Sequence, residues 1–160
     1  MNALAMLIRD AKPDDAIAAC EAVRRSISEL CAADHGGDPR IMARWLANKT
    51  PENLRAWIAR PDASLLVAVE DGAILAVGMV SDAGEILLNY VSPSARFRGV
   101  SRALLKALEA RARERGAAIA TLESTETARR FYLSNGYVVI GAATGKFGMR
   151  SGYRVSKALA

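Results

Sequence analysis

The chain has 160 residues, 51% hydrophobic and 24% charged; that is room for one domain with a continuous core, and the balance excludes disorder and a collagen-like repeat. A formal charge of +5 and a pI near 9.6 favour an anionic partner without choosing between a polyphosphate and a nucleic acid. Met1 to Ile8 is too short for a membrane span or a leader peptide and has no basic flank before it, so no membrane partner and a cytoplasmic location are expected.

In chain order, Leu7-Ile8-Arg9 reads as a first strand. Pro13-Asp14-Asp15 opens a helix whose apolar positions Ile17, Cys20, Val23, Ile27 and Leu30/Cys31 keep close to helical period. Cys20 and Cys31 would lie about 16 Å apart along it, beyond a disulfide's reach, and read as packed thiols. One histidine and no Cys-x-x-Cys leave no zinc pattern, and a Cys31/His35 pair lacks a third orienting group. Ala32 to Pro39, with Gly36-Gly37, reads as a loop. A helix over Ile41 to Ala47 follows, and Thr50-Pro51 caps another that ends near Arg60-Pro61. Trp45 and Trp57 read as core anchors of these helices.

The period then changes from helical to alternating. Leu65 to Val69, Asp71-Gly72 and Ile74 to Val80 form a hairpin with a strong turn signal, and a turn at Asp82-Ala83-Gly84 leads to a strand over Glu85 to Val91. A long helix runs from about Gly99 to Arg115 on a stripe of Val100, Ala103/Leu104, Ala107/Leu108 and Ala112, with Glu109 and Arg113 as an exposed i, i+4 pair. Gly116 stops it. Ala117 to Leu122 is a strand, Thr127 to Ser134 a helix ended by Asn135-Gly136, and Tyr137 to Ile140 and Tyr153 to Leu159 close the sheet. The plan is α+β in a single domain over 1–160: a mixed, mostly antiparallel sheet of seven strands flanked by helices, with one parallel crossover through the long helix.

The densest chemical signal is Val91-Ser92-Pro93-Ser94-Ala95-Arg96-Phe97-Arg98-Gly99-Val100-Ser101, between a strand and that helix. Glycine there lets backbone approach a ligand, and the free N–H groups and dipole of a helix start suit a pyrophosphate, with Arg96, Arg98 and Arg102 adding charge. From these residues alone, a plain turn with surface arginines reads equally well. Gly141 to Phe147 hints at a phosphate loop but is one residue short between its glycines and has Phe where Ser or Thr must bind magnesium. There is no helix-turn-helix or zinc-finger pattern and no aromatic row on a strand, so no nucleic-acid partner is expected.

Arg96-x-x-Gly99-x-Ser101 resembles the pyrophosphate loop of the GNAT N-acetyltransferase family, in which Gly or Ala usually stands where Ser101 does. Ala128-Arg129-Arg130-Phe131-Tyr132-Leu133-Ser134-Asn135-Gly136-Tyr137 resembles the family's second signature, and Tyr153 to Leu159 is similar to its closing strand. The resemblance spans Ile8 to Leu159.

It implies acetyl-CoA as acyl donor, no metal, and transfer of acetyl to a primary amine of a small molecule or protein by direct attack on the thioester. Two central strands, Glu85–Val91 and Ala117–Leu122, would splay, with backbone of Tyr90 and Val91 meeting the pantetheine arm. The pyrophosphate would rest on Arg96 and the N–H groups of Phe97, Arg98, Gly99, Val100, Ser101 and Arg102. Thr125 stands where the family often has an Asn contact. Tyr132 corresponds to the acid that protonates the leaving thiolate, or is a core tyrosine; Glu85 corresponds to a base glutamate, or is a solvated charge at a strand entry. Ser26, His35 and Asp38 are polar groups on the acceptor side. A non-catalytic acyl-CoA-binding or regulatory module of the same fold is the alternative, and a homodimer stays open.

Overall fold

The computed structural model describes residues 6–144 and 151–159. Four strands form an antiparallel meander in sequence order: β1 (Leu7–Asp10), β2 (Ala63–Glu70), β3 (Ala73–Ser81) and β4 (Ile86–Val91). The β2–β3 turn takes Asp71 and Gly72 to φ of 56° and 77°, the left-handed pair that matches the twist of a two-residue hairpin. Three further strands, β5 (Ile119–Ser124), β6 (Val138–Thr144) and β7 (Ser151–Ala158), pair antiparallel in the order β5-β7-β6. The last strand thus enters between its two predecessors. The remainder of the Gly141 to Phe147 stretch after Thr144 lies outside the described residues.

The two sheets meet at one place among the described residues: a parallel bridge between Glu85 and Thr121, with the Thr121 N–H donating to the Gly84 carbonyl at 3.0 Å. Gly84 is required there. A Cβ would stand 2.2 Å from the Ile119 carbonyl oxygen, and its φ is +96°. Beyond this apex β4 and β5 go separate ways.

On one face lie α1 (Ala16–Leu30), α2 (Ala32–His35), α3 (Pro39–Leu46) and α4 (Pro51–Ile58). Their core joins Val23, Ile27, Trp45 and Leu54 to Val67, Val77 and Met79 of the meander. Alanines 16, 19 and 22 are buried while Ile17 is 62% exposed, so the helix sits on its small residues and Ile17 is not part of the stripe. The loop expected over Ala32 to Pro39 contains the one-turn α2, and α3 starts two residues early because Asp38 caps it, Oδ1 accepting from the Arg40 N–H at 2.8 Å. Thr50 caps α4 as expected.

On the other face lies α5 (Val100–Glu114), with α6 (Arg129–Ser134) beyond β5. Leu104, Leu105 and Leu108 are fully buried, each contributing about 1.5–3 kcal/mol of apolar burial. Glu109 is not exposed. It is buried against Tyr137 and Lys157, receiving the phenol O–H at 2.7 Å and the ammonium at 3.0 Å, because Tyr137, just before β6, and Lys157 of β7 reach it from the last part of the chain. No helix among the described residues is long and apolar enough to cross a membrane.

Candidate active site

Where β4 and β5 diverge they open a cavity of about 740 Å³, within the range of small-molecule sites. One wall is β4 from Ile86 to Val91, the other is Leu122 to Thr125, and the start of α5 closes one end. Antiparallel pairing to β3 uses one edge of β4, with Tyr90 opposite Val77 and Val91 opposite Ala76, which leaves the edge facing the cavity. The Ser92 N–H donates to the Leu75 carbonyl across this ladder, so by alternation the backbone groups of Tyr90 turn to β3 and those of Val91 turn to the cavity, which Tyr90 borders with its side chain.

The loop before α5 is shaped by two left-handed residues, Phe97 at φ 65° and Gly99 at φ 76°. Ser92 anchors its beginning, its hydroxyl accepting from the Ser94 N–H and its own N–H donating to the Leu75 carbonyl at 2.7 Å. Gly99 stands at the N-cap of α5 without a side chain, so no cap satisfies the N–H groups of the first turn. A Cβ on Gly99 would meet no protein atom within 4 Å. That is a cradle of unmet donors at the positive end of a helix, bordered by Arg96 and Arg102, and its chemistry suits a diphosphate. Arg96, Phe97, Gly99, Val100, Ser101 and Arg102 line the cavity. Arg98 does not: its guanidinium turns away to Glu70, 2.7 Å from both carboxylate oxygens. Thr125 lines the cavity, and its Oγ1 accepts from the Ala128 N–H at 3.3 Å, steadying the approach to α6.

Tyr132 projects from α6 into the same space. Its ring packs edge-on to Phe131 and Tyr137, with centroids 5.2 and 5.5 Å away, and it is 5% exposed. Burial pushes the phenol up to about 12, opposed by a hydrogen bond that Asn89 Nδ2 donates to its oxygen at 2.9 Å. Asn89 escaped sequence reasoning; the only signal was strand alternation, which sets it opposite in facing to Leu88 and Tyr90.

The remaining wall comes from the first helical layer: Ser26, Leu30, Cys31 and Trp45 border the cavity together with Tyr90. Trp45 Nε1 donates to the Tyr90 hydroxyl at 3.1 Å, so this anchor also shapes the cavity. Desolvation raises the Tyr90 phenol well above its ordinary range. Cys20 and Cys31 are buried free thiols, and burial pushes Cys31 up to about 12, the opposite of a nucleophile. Asp34 of α2 was also missed: Oδ1 receives the Thr127 N–H at 3.0 Å, tying that layer to the segment before α6, while Oδ2 is buried without a partner.

Three expected residues are not brought here. Glu85 is exposed at the closed apex, outside the cavity lining, because β4 and β5 are still bridged at that point. His35 is a buried structural group, with Nε2 donating to the Ile27 carbonyl at 3.0 Å and Nδ1 accepting from Gly37 N–H at 2.9 Å. Asp38 is a helix cap. Among the described residues no group of three His, Cys, Asp or Glu side chains is placed to hold a metal.

The family model for the acetyltransferase (GNAT) domain matches residues 27–151, which include the cradle, Asn89 and Tyr132. The chain belongs to the GNAT acetyltransferases. The acyl donor of this family is acetyl-CoA, and the diphosphate cradle beside the splayed strands agrees with that donor. GNAT structures share the whole architecture. A GCN5-related N-acetyltransferase from Rhodopseudomonas palustris, described as an aminotransferase of class II, is 23% identical with a TM-score of 0.84 over 99% of both chains. The PaiA N-acetyltransferase of Thermoplasma acidophilum, solved with coenzyme A, is 20% identical with a TM-score of 0.80 over 97% of this chain and 99% of that one. The ribosomal-protein-S18-alanine N-acetyltransferase of Escherichia coli is 17% identical with a TM-score of 0.72 over 98% and 95%. No curated protein matches the sequence.

Proposed function

We propose that this GNAT protein moves the acetyl group of acetyl-CoA to a primary amine, of a small molecule or of a protein, with Tyr132 as the acid. The observation that carries the reading is a buried phenol in the cavity whose oxygen already accepts a hydrogen bond from Asn89, so its own proton is uncommitted among the described residues.

The backbone N–H groups from Phe97 to Arg102, with the Arg96 guanidinium, hold the diphosphate. Arg98 contributes its backbone, its side chain being held by Glu70. Free backbone on β4 at Val91 orients the pantetheine arm, and the acetyl carbon is presented near the side of Ser26, Cys31, Trp45 and Tyr90, where the amine enters. The C–N bond forms as the C–S bond breaks. Tyr132 gives its proton to the departing sulfur, and the proton lost from nitrogen goes to solvent, from which the phenolate is restored. A phenol held near 12 facing a thiol of ordinary pKa about 8.5 does not transfer its proton in advance, so the transfer accompanies C–S cleavage. Glu85, exposed and apart from the cavity, is given no part in this reading.

The test is calorimetric titration with acetyl-CoA, with ATP and NAD as controls, followed by thiol release over a panel of polyamines, an aminoglycoside, arylalkylamines and peptide N-termini. Selective binding with release is expected. In Tyr132→Phe, kcat should fall roughly 10²- to 10⁴-fold with acetyl-CoA affinity kept. Equal loss of both would make Tyr132 structural, and binding without release would leave an acyl-CoA-binding module.

A further inference from the structure

We propose that Asn89 is a positioning residue for the acid step: its amide holds the Tyr132 hydroxyl with the proton turned to the cavity and keeps the phenolate partnered after that proton leaves. This rests on Tyr132 as the proton donor. A phenol donates one hydrogen bond and accepts others. The Asn89 amide at 2.9 Å fills an accepting position, so the proton must point elsewhere, and the cavity is the space both residues line. The ring itself is fixed between Phe131 and Tyr137, and α6 seats its backbone, the Tyr132 N–H donating to the Ala128 carbonyl at 3.1 Å. Rotation about the C–O bond is the freedom left, and Asn89 sets it.

The placement is built into the sheet. Leu88 packs among the residues of the first helical layer and Tyr90 against them, so strand alternation turns Asn89 between them toward α6. Asn89 and Tyr132 therefore come from the two sides of the opening, strand wall and helix. Burial works against the phenolate and the Asn89 hydrogen bond works for it. Without Asn89, the negative charge left on the phenol oxygen as the sulfur takes its proton has no fixed donor at a buried ring.

A double-mutant cycle on the full chain tests this, with kcat and KM measured for acetyl-CoA and the best-used amine of the panel above. Asn89→Leu is expected to lower kcat about 10- to 100-fold while KM for acetyl-CoA changes less than about twofold. Asn89→Asp keeps the shape but turns the donor into an acceptor that captures the Tyr132 proton, so kcat should fall at least as far. The Asn89→Leu/Tyr132→Phe double variant should be no slower than Tyr132→Phe alone, because Asn89 acts only through the phenol. If the two losses multiply, Asn89 has a structural role and the inference fails while the acid reading stands. Asn89→Asp at wild-type kcat also overturns it, even where Asn89→Leu misfolds. Wild-type turnover in Tyr132→Phe removes the acid reading, and this inference falls with it.

Discussion

Gly99 and Gly116 sit at opposite ends of α5, both in the left-handed region, at φ 76° and 96°, and both with open space where a Cβ would go. Alanine at either position meets no clash, only the cost of a left-handed conformation, about 1–2 kcal/mol. For a chain of this size that is a Tm loss of roughly 2–8 °C for each variant. Their effects on acetyl-CoA should differ sharply. At Gly99 the added methyl lies over the cradle, and relaxation out of the left-handed region re-aims the first-turn N–H groups. Losing two charge-assisted hydrogen bonds, each about 1.5–3 kcal/mol, weakens binding roughly 10²- to 10⁴-fold. Gly116 bears the same strain behind the other end of the helix and should leave Kd unchanged. Calorimetry gives Kd and thermal scanning gives Tm on the same preparations. If Gly99→Ala binds acetyl-CoA as the wild type does, or Gly116→Ala loses as much affinity, the cradle is not the diphosphate site.

Two stability predictions accompany it. Glu109→Ala removes the acceptor of the buried Tyr137 phenol and the partner of Lys157, whose side chain keeps 31% exposure, so the expected loss is about 2–3 kcal/mol, read as a lower urea midpoint with unchanged slope. Glu109→Gln, which can still accept from Tyr137, should lose less. The Cys31 thiol is raised to about 12, first by burial and then by the Asp34 charge, so its folded pKa exceeds its unfolded one. Its contribution is therefore complete below about pH 8.5 and is lost as pH rises toward the folded value, and Cys31→Ala should flatten the decline in stability above about pH 9. An unchanged alkaline slope in that variant would show that the Cys31 thiol titrates alike in the folded and unfolded states.

The sequence carries those parts of the fold that depend on local chemistry. Asp71-Gly72 specifies its turn, Thr50-Pro51 its helix start, and Gly99 a helix entry whose missing side chain is the cradle. It misleads where a residue's surroundings come from distant chain. Glu109 has the spacing of a solvated pair with Arg113 but is buried where Tyr137 and Lys157, 28 and 48 residues away, come against it, and Ile17 matches the helical period yet faces solvent because alanines let the helix settle lower on the sheet. The site follows the same division. Tyr132 and the helix entry at Gly99 lie in contiguous motifs, and both line the cavity. Asn89 was not legible, since its meaning depends on a partner 43 residues away across an opening that no pattern along one strand encodes. Glu85 shows the converse. It has a plausible offset from the loop, but the parallel bridge to Thr121 holds it where the strands are still joined, apart from the cavity that opens where they have parted. The parting of β4 and β5 thus does two things at once, exposing unpaired backbone on β4 to the cavity and opening the gap across which Asn89 reaches Tyr132.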